Sequence, residues 1–368
     1  MSDSLLAGLI QEIESTRRRA ISFPRFMEQA LYHPVWGYYA KEQTKLGKKG
    51  DFFTNAHVGD LFGKVLSRFF ADWLKRNQIR SRWTIVEWGA GDGRIAEQFA
   101  QGLMEQGFSP EAISFYLIET SPYHRRLLEE RFSSSPVGFQ TVSRLSDIPA
   151  RPFSFIYSNE LVDAFPVHRI KKDQGRWTEA YVTTMNRKPY LKEEWLPLSE
   201  DSPVRQQMES WLRKLKEGRE MEICLAARDW LREIAGWMEQ GVLVTIDYGG
   251  TGEQLLQKGK TIRAYQAHRI CHDLYSDPGE KDLTYDVNFS HLIEWGREAG
   301  FTGEQLWSQS RFLIQAGVFD WLPEAPGRDP FGEDAKRVRA IKQLIHPETM
   351  GEAFQVLIQT KSTGGKNE

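Results

Sequence analysis

The sequence predicts an α/β fold, a mostly parallel sheet wrapped by helices, on three observations. From Trp83 onward, strand-like and helix-like segments alternate: "WTIVEWG", "RIAEQFAQGLMEQG", "ISFYLIE", "PYHRRLLEERF" and "FSFIYSNE". Later, "GVLVTIDYG" is almost wholly apolar, as a strand buried on both faces of a parallel sheet must be. Finally, "IVEWGAGDGRIAEQF" takes a strand through a glycine-rich turn into a helix. Sheets of this kind bind ligands in the crevice at the carboxyl ends of their strands, so the residues at those ends are the candidates for chemistry.

Bulk properties narrow the class. A chain of 368 residues with 40% hydrophobic content can bury a large core, as one domain with insertions or as two. The 48 basic and 50 acidic residues leave a net charge of −2, so no global field recruits nucleic acid or a membrane surface. Cys224 and Cys271 are the only cysteines and form neither a disulfide framework nor a CxxC pair, which makes a reducing compartment the default. No window approaches the roughly 18 apolar residues of a membrane-spanning helix. The start, "MSDSLLAGLIQEIESTRRRA", lacks the order of a signal peptide, and Asp3, Glu12 and Glu14 argue against a mitochondrial leader. The expectation is a soluble, cytoplasmic protein with no nucleic-acid partner and no stable membrane insertion.

Five segments follow in order. Leu5, Leu6, Leu9, Ile10 and Ile13 repeat at helical spacing, and "VGDLFGKVLSRFFADWLKR" does so again, predicting a helical cap over 1–80. Between them "ALYHPVWGYYAKEQTKLGKKGDFFT" reads as an ordered loop. The ligand-binding α/β core spans 81–170. An insertion covers 171–240, with "RWTEAYVTT" and "KPYLKEEWLPL" as a strand pair followed by charged helices. The rest of the core occupies 241–360, interrupted by an irregular excursion from Gly249 to Asn288. The polar tail 361–368 is expected to be disordered.

Gly89, Gly91 and Gly93 allow a tight turn and a close approach of backbone to ligand. Arg94 stands where a dinucleotide fingerprint has its third glycine, and no GK[ST] follows, so this is no P-loop. Glu87 lies two residues ahead of Gly89, where a carboxylate would repel a pyrophosphate and suit a cation such as S-adenosylmethionine (SAM). Glu119 ends the next strand, placed to accept both ribose hydroxyls. The alternatives are a purely structural turn and a solvated strand-end acid.

The next strand ends in "SNELVDAFPV", which offers Asn159 as a hydrogen-bonding amide and Glu160 as an acid at the crevice mouth. Asp163 follows one helical turn later, either as a second acid or as a helix cap. Phe165 and Pro166 supply an apolar wall. Asp247 and Tyr248 close a further strand at the same end, and the polar stretch beyond brings Arg263 and His268 as substrate-side candidates. His268, Cys271 and His272 lack the further ligands that a tetrahedral zinc site needs, so no metal is expected.

Taken together, "FPRFMEQALYHPVWGYY", "GKKGDFFT", "VEWGAGDG", "LIETS", "SNELVDAFPV" and "DLTYDVNF" resemble the MidA-like family. Its mitochondrial members are SAM-dependent protein-arginine methyltransferases that act as respiratory complex I assembly factors. The resemblance runs from about Phe23 to Phe301 and fades in the insertion and the C-terminal stretch. It implies a seven-stranded class I (Rossmann-like) methyltransferase core with a helical N-terminal cap. Gly89, Ala90, Gly91 and Gly93 would hold the methionine part of SAM, and Glu119 with Thr120 the ribose. Asp51 and Thr54 would belong to a lid over the cofactor, hinged at Gly47 and Gly50. Glu160 is then the first candidate to receive a proton from the accepting nitrogen, with Asp163 second, and Tyr39 packs over the cofactor or the substrate side chain. The implied products are a methylated arginine on a protein substrate and S-adenosylhomocysteine. A SAM-binding assembly factor that mainly holds a partner, and a methyltransferase for a small molecule, are the alternatives; a nicotinamide oxidoreductase is disfavoured by Arg94 and Glu87.

Overall fold

The structure is a computed structural model and describes residues 4–41, 58–80, 82–188, 190–266, 269–324 and 329–362. The expected lid, with Asp51 and Thr54, lies outside the described residues, as do His268 and the tail 363–368. The chain begins with α1 (Leu5–Ser15), β1 (Ala20–Ser22) and α2 (Phe23–Tyr32). It continues through α3 (Phe62–Arg76), β2 (Trp83–Trp88), α4 (Arg94–Glu105), β3 (Ser114–Ile118), α5 (Pro122–Phe132), β4 (Gly138–Val142) and β5 (Phe153–Asn159). Next come β6 (His168–Asp173), β7 (Arg176–Thr184), β8 (Leu191–Pro197), α6 (Pro203–Lys214), β9 (Glu220–Ile223), α7 (Leu225–Trp237) and β10 (Gly241–Gly250). The remainder is α8 (Gly252–Lys258), β11 (Arg263–Gln266), β12 (Arg269–Cys271), β13 (Asp282–Thr284), β14 (Val287–Asn288), α9 (Phe289–Ala299), β15 (Gly303–Ser308), α10 (Gln309–Gln315), α11 (Glu333–Ile345) and β16 (Phe354–Lys361).

These elements form two compact units: 1–43, 162–230 and 249–292 make the first, and 44–161, 231–248 and 293–368 the second. The second is the expected α/β core. Its strands run in the order β4-β3-β2-β5-β10-β16-β15. The five from β4 to β10 are parallel, while β16 is antiparallel to β10 and β15 antiparallel to β16. Strand order reverses between β2 and β5, so their carboxyl ends flank the topological switch point where α/β sheets bind ligands. Every residue of β5 from Phe153 to Ser158 is buried, and so is the apolar run of β10, in keeping with cover on both faces. A cluster of Phe70, Phe99, Phe115, Phe155 and Tyr157 fills the space beneath α3 and α4.

The first unit is built on an antiparallel sheet, β1-β7-β6-β9 with β8 on the far side of β7. The β6–β7 hairpin turns on Gln174 and Gly175, both at positive φ (49° and 74°), as a two-residue turn between twisted strands demands. The expected strand pair is β7 and β8, in register from Thr178–Pro197 to Thr184–Leu191. The division read from the sequence differs from this one. Ala20–Ser22 pair with Tyr181–Thr183, so the N-terminal segment and the "insertion" share one sheet, whereas α3 packs in the other unit against α4. Long-range pairing decides both assignments, and local composition carries no record of it.

Candidate active site

In the second unit, β2 delivers the chain into a turn whose glycines all sit at positive φ: Gly89 at 78°, Gly91 at 54° and Gly93 at 75°. Side chains other than glycine's are strained there. Gly89 also lies under Leu161, whose Cδ1 would be 2.9 Å from an added Cβ. The backbone N–H of Gly89 donates to Ile118 O at 2.9 Å, tying the turn to the end of β3. At the position of the missing third glycine, the N–H of Arg94 donates to Asp92 Oδ1 at 3.2 Å, so the turn's own aspartate engages the first N–H of α4.

Glu119 follows β3 and is buried. Its Oε2 accepts from Gly91 N–H at 3.0 Å and its Oε1 from Ser121 N–H at 2.8 Å. Burial raises its pKa, and the backbone donors of Ser121, Gly91 and Thr120 work against that rise. A carboxylate has about four lone-pair sites, so these backbone donors leave capacity for a ligand hydroxyl. Thr120 is exposed beside it and Ala90 is buried in the turn. A glycine cradle with a carboxylate beside it fits the sulfonium, ammonium and ribose of SAM.

Glu87 has a different setting from the one expected. It is buried, and its Oε2 accepts from Tyr157 O–H at 3.0 Å. Burial pushes its pKa well above the ordinary carboxylate value, with the Tyr157 hydrogen bond opposing. Burial thus disfavours the charged form of Glu87, and a cation lying close would favour it.

At the end of β5, Asn159 Nδ2 donates to Glu160 Oε1 at 3.1 Å. Glu160 is held at φ 51° while its N–H donates to Ile246 O at 2.9 Å. A left-handed glutamate is uncommon, and such backbone strain concentrates at functional sites. Asp247 is fully buried and its Oδ1 accepts from Tyr248 N–H at 3.0 Å. The ring of Tyr248 stands edge-on to Phe354 at 5.7 Å, a core contact.

In the first unit, Asp163 lies in a short turn, Val162–Ala164, and its Oδ2 accepts from Thr284 O–H at 2.7 Å. Tyr39 donates its O–H to Asp282 Oδ1 at 2.9 Å and stacks on Tyr32 at 5.4 Å. Burial of the hydroxyl raises the Tyr39 pKa far above normal, and Asp282 and Asp163 both add to it, so the two acids share one neighbourhood. Tyr285 O–H donates to Val162 O at 2.7 Å and Tyr32 O–H to Ala164 O at 2.9 Å, pinning the turn that carries Asp163. Asp163 is thus tied into a built cluster. Asp282, Thr284 and Tyr285 come from "DLTYDVNF", a stretch whose residues carry no evident role in the sequence alone. Asp282 and Thr284 are two apart on β13 and so share a face, which is the signal that could have found them. Phe165 packs edge-on to Trp230 at 6.0 Å. Arg263 donates to Asp286 Oδ1 at 2.6 Å and to Thr261 O at 3.0 Å, which makes it an engaged structural cation.

No group of three metal-ligating side chains occurs among the described residues. None of their helices is long and apolar enough to cross a membrane.

Comparison with known proteins gives this geometry a family. Residues 65–305 match the family described as S-adenosyl-L-methionine-dependent methyltransferase. The zebrafish (Danio rerio) protein named protein arginine methyltransferase NDUFAF7, mitochondrial, is 27% identical over 389 residues, covering 96% of this chain and 86% of that protein. The Homo sapiens protein of the same name is 26% identical, covering 95% and 82%. A crystal structure of a COG1565 superfamily member from Burkholderia thailandensis, bound to S-adenosyl-homocysteine, is 27% identical with a TM-score of 0.86, covering 98% of this chain and 92% of that one. The expectation of a cytoplasmic protein is corrected by the arginine methyltransferase relatives, which are named as mitochondrial. Acids near the start of the chain describe that segment and assign no compartment. With a glycine cradle and Glu119 at the switch point of the mostly parallel sheet, and with the family match spanning both, the chain belongs to the S-adenosyl-L-methionine-dependent methyltransferases, and SAM is its cofactor.

Proposed function

We propose that this enzyme methylates the guanidinium of an arginine side chain in a protein. The observation that carries the reading is the acid cluster of the first unit, in which Asp163 and Asp282 are both buried beside Tyr39. A guanidinium is always charged and presents five donors in a planar fork, and carboxyls are its matching acceptors. When bound, SAM supplies a methyl group made electrophilic by its sulfonium. Asp163 and Asp282 orient the fork, with Thr284 and Tyr39 holding their carboxyls in place. In the second unit Glu160, at a strained left-handed position, is the candidate carboxylate for taking up a proton. The name arginine methyltransferase carried by the relatives supports the same substrate class.

The test is transfer from SAM to peptides that contain arginine, lysine or neither, read by mass spectrometry. Methylation confined to arginine is expected, and methylation of lysine or none at all would overturn the reading. Glu160→Gln is expected to keep cofactor affinity and lose about 10²–10⁴-fold in turnover, the range for removing a positioned proton acceptor, and Asp163→Asn to keep cofactor affinity and weaken use of the arginine peptide. Full turnover in Glu160→Gln would remove that residue from the chemistry.

A further inference from the structure

We propose that the first unit carries a docking cleft for an acidic peptide segment. Assigning that segment to the methylated protein rests on the reading above. The sheet register makes the cleft. Lys171 of β6 lies directly opposite Glu220 of β9, and Arg169, two residues earlier, lies opposite Glu222, so all four side chains share one face. Trp195 and Glu193 of β8 join that face: the Arg169 guanidinium sits 5.3 Å from the Trp195 ring centre and Lys171 Nζ 5.8 Å from it. The result is a cleft of about 340 Å³ whose lining includes Lys171, Arg219, Lys258, Lys260, Glu193 and Trp195.

Charge accounting leaves this cleft basic. Its two acids are already satisfied from below by Arg169, which is fully buried. Arg169 Nε donates to Glu220 at 2.6 Å, and Nη1 donates to Glu193 and, at 2.9 Å, to Tyr275 O–H. Burial would raise the Glu193 pKa, but Arg169 and Tyr275 outweigh it and keep the carboxyl below its ordinary value, so it stays paired within the protein. Lys258 pairs with Asp286. Among the described residues, Lys171, Arg219 and Lys260 form no ion pair within 4.0 Å, and Lys260 helps Arg169 keep the Glu193 carboxyl charged through space. These three cations stand on separate segments around an open cleft, in a chain whose net charge is −2. A segment bearing several Asp and Glu side chains can meet separated ammonium and guanidinium groups at once, with its stems against Trp195.

The experiment uses the full chain and a fluorescein-labelled heptapeptide of Asp and Glu, read by anisotropy, with an uncharged peptide as control. Saturable binding is expected. It should weaken about tenfold or more in the Lys171→Ala/Arg219→Ala/Lys260→Ala triple variant, and also between low and high salt. The triple variant is expected to bind S-adenosylhomocysteine as the parent does, which shows that it folds. Equal peptide binding by parent and triple variant would overturn the proposal. So would displacement of the peptide by millimolar inorganic phosphate, which would make the cleft a small-oxyanion site. A second arm separates this inference from the substrate reading. Arginine peptides with and without an acidic flank are compared, and a flank-dependent fall in KM that vanishes in the triple variant supports docking. Methylation indifferent to both flank and variant sinks the cleft and leaves the arginine reading standing. Acidic-peptide binding without any arginine methylation does the reverse.

Discussion

Glu87 illustrates what a single buried carboxyl does to both chemistry and stability. Its folded pKa is raised above the ordinary 4.5, so the folded chain holds this proton at a pH where the unfolded chain has released it. The associated stability is full below the unfolded value and is lost as pH rises through the folded one. Glu87→Gln keeps an acceptor for Tyr157 and removes the titration. Relative to the parent, the variant without ligand is therefore expected to gain stability steadily above the ordinary carboxylate range. Urea unfolding at pH 5 and pH 8 measures this, and parallel profiles for the two proteins would refute it. Gly91, at φ 54°, makes a second residue-scale case. Valine in a left-handed position is a steric outlier, and Gly91 N–H is also the donor that anchors Glu119. Gly91→Val is expected to abolish binding of S-adenosylhomocysteine while circular dichroism still shows a folded chain; unchanged affinity would displace the site. At this scale the sequence was informative where chemistry is local. The glycines and Glu119 declare themselves by spacing. Asp282 and Thr284 do not, because their meaning comes from Tyr39 and Asp163, 243 and 121 residues away in the chain.

Among the elements, α3 and α4 meet closely at Gly63. A Cβ on Gly63 would come within 2.5 Å of Ile95 O and 2.9 Å of Phe99 N, both backbone atoms of α4. Gly63 N–H also donates to Gln98 Oε1 at 2.9 Å. Alanine gains about 1 kcal/mol over glycine in a helix interior. Forcing the helices apart costs more, for a net loss of about 1–2 kcal/mol. Thermal unfolding of Gly63→Ala reads this, and a raised midpoint would show that the helices are not in such close contact. Elements with strong local patterns were legible before folding: β2, β3, β5 and β10 are apolar runs bounded by turn residues, and α4 has an unbroken apolar stripe. β4, "GFQTV", and β16, "FQVLIQTK", were not assigned from the sequence, because one is short and half-polar and the other takes its place only by pairing with β10 and β15.

Across the whole molecule, local pattern predicted the α/β class, the switch point and the cofactor, while the division into two units escaped it. That division is made by strands paired across long stretches of chain, Ala20–Ser22 with Tyr181–Thr183 among them. It puts the glycine turn and Glu119 in one unit and the Asp163–Asp282 cluster in the other, with Asn159 to Asp163 as the covalent passage between them. The near-neutral charge told against a global field and could not reveal a local one, which depends on which acids Arg169 neutralises. The central claim is that Glu119 and the glycine turn hold SAM, and one calorimetric titration addresses it. S-adenosylhomocysteine is titrated into the parent and into Glu119→Ala. Saturable binding at one site per chain is expected for the parent. The variant should bind about 10²-fold more weakly, since hydrogen bonds to a charged group contribute about 1.5–3 kcal/mol each. Equal affinity in the two proteins would contradict the account and send the search for the cofactor elsewhere in the fold.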